Sequence, residues 1–151
     1  MIDFIDYTDT NTTLILLNTT IEGNIKTIGA LEVFGRVNGC VETDGLSSIY
    51  GFINGNLETR DLIARNNSTI NGDINILYDG FINKNSKIEG NIDCRNIEIY
   101  GNIKGNIKAE DSVILRGSAN VAGDIICRNL VVDQGAKING NVKLVYQLEK
   151  F

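Results

Sequence analysis

Eight copies of one five-residue phrase run through this chain, and they constrain its fold more than anything else in it. The phrase is Ile/Val, any residue, Gly, Asn/Asp, Ile/Val, with Cys40 and Leu57 as departures. It reads IEGNI at 21–25, VNGCV at 37–41, INGNL at 53–57, INGDI at 70–74, IEGNI at 88–92, IKGNI at 103–107, VAGDI at 121–125 and INGNV at 138–142. The first residues of successive copies lie 16, 16, 17, 18, 15, 18 and 17 positions apart. Self-similarity at such a period marks a repeat architecture. Between copies the apolar residues alternate with polar ones, as at Asn96-Ile97-Glu98-Ile99, which is the period of a strand with one buried face. Each repeat is therefore one winding of short strands. The chain is expected to be an all-β solenoid of about eight windings, roughly 38 Å tall at ~4.8 Å per winding.

The glycine of each phrase, at 23, 39, 55, 72, 90, 105, 123 and 140, reads as a structural corner where the chain needs a positive φ or a close approach to the next winding. That assigns Gly23, Gly39, Gly55, Gly72, Gly90, Gly105, Gly123 and Gly140 to one edge of the solenoid. The Asn or Asp that follows tolerates similar backbone values. Asn24, Asn56, Asp73, Asn91, Asn106, Asp124 and Asn141 are expected to stack as an amide and carboxylate ladder along that corner. The interior is expected to hold Ile25, Ile53, Ile74, Ile92, Ile99, Ile107, Leu115, Ile125 and Val132.

Residues 1–13 do not match the repeat. They mix Ile2, Phe4, Ile5 and Tyr7 with Asp3, Asp6 and Asp9, and read as an N-terminal tail, flexible or covering the first winding. Residues 14–151 are expected to form the solenoid with an apolar C-terminal end. The longest polar stretches, 61–68 and 78–85, are the expected protruding loops. After Val142, alternation through Leu144, Tyr146 and Leu148 favours a last strand, whereas Leu144, Leu148 and Phe151 also fit a helix face.

The chemistry a catalyst would need is missing. Among 151 residues there is no His and no GxxxxGK[ST] loop, so general-base, zinc and nucleotide-phosphate chemistry lack their usual carriers. No cofactor and no metal are expected. Fourteen basic residues face nineteen acidic ones, for a net charge of −5, and along the sequence the cations are scattered. No basic stripe marks a nucleic-acid partner. Cys40, Cys94 and Cys127 make an odd set without CxxC spacing. Cys94 and Cys127 stand two windings apart, ~9.5 Å, beyond disulfide reach. Reduced thiols, no secretory signal at the N-terminus and no apolar run near the roughly twenty residues of a membrane span lead to a cytoplasmic expectation.

The runs at 113–125 and 130–140, the latter ending Gly135-Ala136-x-Ile138-x-Gly140, resemble the core of the bactofilins, polymer-forming bacterial cytoskeletal proteins. The resemblance covers residues 13–142. It implies a right-handed parallel β-helix of three short sheets, assembling end to end into non-polar filaments without nucleotide, often near the inner face of the membrane. The long proline-rich flanks of many members are absent here. The alternatives are a left-handed β-helix enzyme of the hexapeptide acyltransferase kind, which relies on His and strict six-residue repeats, and a capped, monomeric surface-binding solenoid.

Self-assembly also follows from the residues. Each end of a solenoid leaves backbone groups and an apolar cross-section unpaired. The chain enters with Leu14, Ile15, Leu16 and Leu17 and leaves with Leu144, Tyr146, Leu148 and Phe151, and these eight are the expected polymer interface. The partner is a second copy, while residues 1–13 are the segment left for membrane or client contacts.

Overall fold

The computed structural model describes residues 11–146, which form a parallel β-solenoid of eight coils with no helix among them. Each coil carries three short strands, one on each face. In the third coil these are Leu46–Ile49, Phe52–Asn54 and Leu57–Thr59. Every strand pairs in parallel with its equivalent one coil away, so that Ile53 stands between Val37 and Ile70. The second face is a separate eight-stranded sheet. The first and third faces join into one sheet because the strands Ile92–Ile99 and Ile107–Leu115 run across the corner between them.

The uneven repeat spacing has a simple geometric origin. The strands keep constant lengths, and two connections vary. The turn between the first and second faces has either two residues, an aromatic followed by Gly (Phe34-Gly35, Tyr50-Gly51, Tyr100-Gly101), or four. The corner between the third face and the next coil has either two residues or one. Each single-residue corner is an arginine: Arg60, Arg95 and Arg128. The shortest spacing, 15, combines Arg95 with Tyr100-Gly101, and both spacings of 18 combine the longer corner with the longer turn.

The stretches expected to protrude do not. Asp61–Ala64 and Asp79–Ile82 are strands of the first face. The polar residues after them form tight four-residue turns, in which Asn67 and Asn85 adopt φ of 67° and 64°, values that Asn tolerates. The turns close inward on Ser68 and Ser86, both buried. Ser86 Oγ donates to Arg65 O at 2.7 Å.

Five strand positions per coil point inward, as Leu31, Val33, Val37, Val41 and Thr43 do in the second coil, and a four-residue turn can add a sixth, such as Ser68 or Ala119. Of the expected interior residues, Ile53, Ile74, Ile92, Ile99, Ile107, Leu115 and Ile125 are buried. Ile25 is only partly buried and Val132 remains 47% exposed, because they belong to the first and last coils and have no coil beyond them. Where hydroxyls replace aliphatics inside, they find partners: Ser47 and Thr59 lie 2.8 Å apart, and Thr59 Oγ1 also reaches Gly45 O at 2.9 Å. A buried hydroxyl so paired avoids the desolvation penalty of an orphaned one.

The glycine corner is held by close stacking. Gly72 has φ of 152°, and a Cβ there would fall on the Gly55 carbonyl of the neighbouring coil. Gly23, in the first coil, has nothing beneath it. The expected ladder takes a particular form: each Asn or Asp side chain accepts from the backbone N–H of its successor one coil on, as in Asn56 Oδ1 to Asp73 N–H and Asp73 Oδ1 to Asn91 N–H, both 2.9 Å. A second ladder, amide to amide, runs beside it through Asn38, Asn54 and Asn71 at 2.8 and 3.0 Å.

Candidate assembly surfaces

The two ends of the stack follow from the strand pairing. Among the described residues, Thr12–Ile15, Thr20–Glu22 and Ile25–Thr27 pair on one side only, as do Asn129–Val132, Lys137–Asn139 and Val142–Leu144. Both ends therefore offer backbone donors and acceptors to a further strand. Their interiors differ. The first coil turns in Thr13, Ile15, Ile21, Ile25 and Thr27, with the two threonine hydroxyls 2.9 Å apart. The last turns in Leu130, Val132, Ile138, Val142 and Leu144, every one apolar. Val132 is 47%, Val142 42% and Leu144 59% exposed.

The expected interface residues divide among several positions. Ile15 is not a surface anchor: it points into the core at 4% exposure, because residues alternate along Thr12–Ile15. Leu14 stands opposite Glu32 on the outside of the first face, so it faces sideways. Leu16 and Leu17 sit in the first four-residue turn and are exposed. Leu144 lies at the last coil's open cross-section, and Tyr146 follows the last strand, fully open to solvent. Leu148 and Phe151 lie outside the described residues. Val132 and Val142 belong with Leu144, and the register of the phrase could have placed Val142 there, because its final residue faces inward in every copy.

The last coil is also held by charge. Arg116 donates to Glu98 at 2.8 Å and to Asp133 at 3.1 Å, linking three successive coils. These two hydrogen bonds raise the guanidinium's already high pKa. Elsewhere the reactive groups are quiet. Cys94 and Cys127 are buried beneath the third face with Ala109 between them, and burial pushes both thiols above their ordinary range. Among the described residues no group of His, Cys, Asp and Glu could hold a metal, and no helix is long and apolar enough to cross a membrane.

Parallel coils, a continuous aliphatic interior and unpaired ends define a β-solenoid whose distinctive surfaces are its two cross-sections. The chain belongs to the bactofilin family: the family's model, described as polymer-forming cytoskeletal, matches residues 51–143. It is similar to Bactofilin BacO of Myxococcus xanthus (strain DK1622), with 32% identity over 84 residues. That match spans 56% of this chain and 65% of the relative. No solved structure matches it.

Proposed function

We propose that this chain is a non-enzymatic cytoskeletal scaffold subunit. It is a right-handed β-helix that stacks end to end into non-polar filaments without nucleotide, in the cytoplasm or along the inner face of the membrane, and so supports cell shape or positions other proteins. The observation that carries the reading is the last coil's cross-section, where Val132, Val142 and Leu144 lie open beside strands that, among the described residues, pair on one side only. Docking like end to like end would pair those edges and bury that surface in an isologous contact, which leaves the filament without polarity. Covering ~500 Å² of apolar surface contributes about 12 kcal/mol before association costs. Membership of a family described as polymer-forming supports the same conclusion.

Sedimentation and negative-stain microscopy test it. Wild-type protein pellets as filaments, and Leu144→Arg leaves dimers or monomers with an unchanged β-rich circular dichroism spectrum. A wild type that stays monomeric at high protein concentration and moderate salt overturns the reading.

A further inference from the structure

Asn-Gly occurs four times in the chain, at 38–39, 54–55, 71–72 and 139–140. The dipeptide is chemically fragile. Asn is among the thermolabile residues, and a following Gly, lacking Cβ, leaves its amide nitrogen open to the Asn side-chain carbonyl carbon. Ring closure between those two atoms needs a free Asn amide and a free Gly N–H. Three of the pairs have neither. Asn38 Nδ2 donates to Glu22 Oε1 at 2.9 Å, Asn54 Nδ2 to Asn38 Oδ1 at 2.8 Å and Asn71 Nδ2 to Asn54 Oδ1 at 3.0 Å. Their glycines donate into the next coil, Gly39 N–H to Asn54 O at 2.9 Å, Gly55 N–H to Asn71 O and Gly72 N–H to Glu89 O, both at 2.8 Å. The fourth pair sits at the end of the stack. Asn139 closes the strand Lys137–Asn139, and its register partner in the seventh coil is Ala122, which offers its amide nothing. Among the described residues no further coil receives Gly140 N–H, and both residues are exposed. The Asn139 backbone carbonyl is held by Gly123 N–H at 3.0 Å, which fixes one side of the pair and leaves the reacting atoms open.

We propose that Asn139-Gly140 is a site of spontaneous deamidation in the free subunit, and that the end-to-end junction closes it. With hydroxide as base, the Gly140 nitrogen gives up its proton and attacks Asn139 Cγ. The new C–N bond closes a cyclic imide, the Cγ–Nδ2 bond breaks, and Nδ2 leaves as ammonia. Water then opens the ring at one carbonyl or the other, giving aspartate, or isoaspartate with the backbone routed through the side chain. Either product puts a carboxylate on the outermost strand of the second face. Isoaspartate also adds a methylene to that strand's backbone, which shifts the register a partner strand has to meet. A subunit left unassembled therefore acquires a mark that disfavours its entry into a filament. A junction that supplies an acceptor for Gly140 N–H makes the fourth pair like the other three. This consequence rests on the end-to-end reading, whereas the reactivity of Asn139 in the free subunit does not.

Peptide mapping by mass spectrometry tests it, on the full chain incubated in mildly alkaline buffer as wild-type filaments and as free subunits of Leu144→Arg, with Val132→Arg as the second variant should the first fail to fold. In the free subunits Asn139 should convert about ten-fold or more faster than Asn38, Asn54 and Asn71, which react only after local opening. In urea all four should convert at similar rates, since each precedes Gly. In wild-type filaments conversion at Asn139 should fall by about ten-fold, and isoaspartate at 139 should collect in the supernatant when aged and fresh subunits are mixed and pelleted. Equal rates at the four sites in the folded variant overturn the proposal. So does a preference for Asn139 that persists in urea, which assigns it to local sequence. Conversion at Asn139 as fast in filaments as in free subunits overturns the shielding. A wild type that forms no filaments yet converts Asn139 selectively supports the reactive site and sinks the assembly reading, so the two failures are told apart.

Discussion

The side-chain oxygen of Asn106 accepts a hydrogen bond from the backbone N–H of Asp124, one coil further on, at 2.9 Å. Asp124 does the same for Asn141, and Asn91 for Asn106, each also at 2.9 Å. The ladder is therefore directional, each side chain serving the next backbone along the rod.

Cys40 interrupts it. Asn24 Oδ1 accepts from Cys40 N–H at 2.8 Å, but a thiol offers no comparable oxygen to Asn56, and the links resume between Asn56 and Asp73. Cys40→Asn should restore the missing rung and add about 1 kcal/mol, a rise of roughly 2–4 °C in Tm for a chain of this size. Differential scanning calorimetry at fixed concentration reads it, and a lower midpoint would show that the rung carries no stability.

Gly72 and Gly23 hold equivalent positions in different surroundings. Both have positive φ, 152° and 138°, so alanine strains either one, by about 1 kcal/mol or somewhat more. Only at Gly72 would the methyl also strike backbone, the Gly55 carbonyl. Gly72→Ala should cost several kcal/mol, and Gly23→Ala only the strain. Urea midpoints of the two variants decide it, and equal losses would remove the stacking explanation.

Thiol chemistry separates the three cysteines. The thiolate is the reactive form, and burial raises the thiol pKa of Cys94 and Cys127, so at pH 8 little of either is ionised. Cys40 is exposed. A disulfide-exchange reagent should titrate one thiol quickly in the native protein and three after denaturation. Fast release of more than one would show that the third face opens readily.

Much of this architecture was legible because the five-residue phrase performs one mechanical task in every coil. Gly turns the corner, Asn or Asp bonds the next coil, and the flanking aliphatics point inward. What could not be read were features that depend on neighbours around the coil. The stretch at 61–68 looks like a loop in sequence, yet Leu62 and Ala64 are buried and Ser68 closes the turn through its hydroxyl to Ser86 at 3.2 Å. Leu14 and Ile15 are both apolar and adjacent, and only the strand's alternation sends one sideways and the other into the core. Cations come together on one edge for the same reason, since Arg36, Arg65 and Lys87 are far apart in sequence and share the edge between the first and second faces only once the chain is coiled.

The assembly reading makes one further demand, on two residues of the same inward column. Leu115 and Val132 are register partners in adjacent coils, yet Leu115 is fully buried and Val132 is 47% exposed. A charge at Leu115 would be enclosed without a partner, at a cost of about 3–5 kcal/mol, so Leu115→Asp should unfold or severely destabilise the subunit. A charge at Val132 can reach water at the open end of an isolated subunit but would be trapped in an end-to-end junction. Val132→Arg should therefore keep the circular dichroism spectrum and melting behaviour of a folded β-solenoid while losing the filaments, with sedimentation showing dimers or monomers. If Val132→Arg still forms filaments of wild-type length, the last coil is not a junction and polymers must be built through other surfaces. If it unfolds like Leu115→Asp, the cross-section is not open as described.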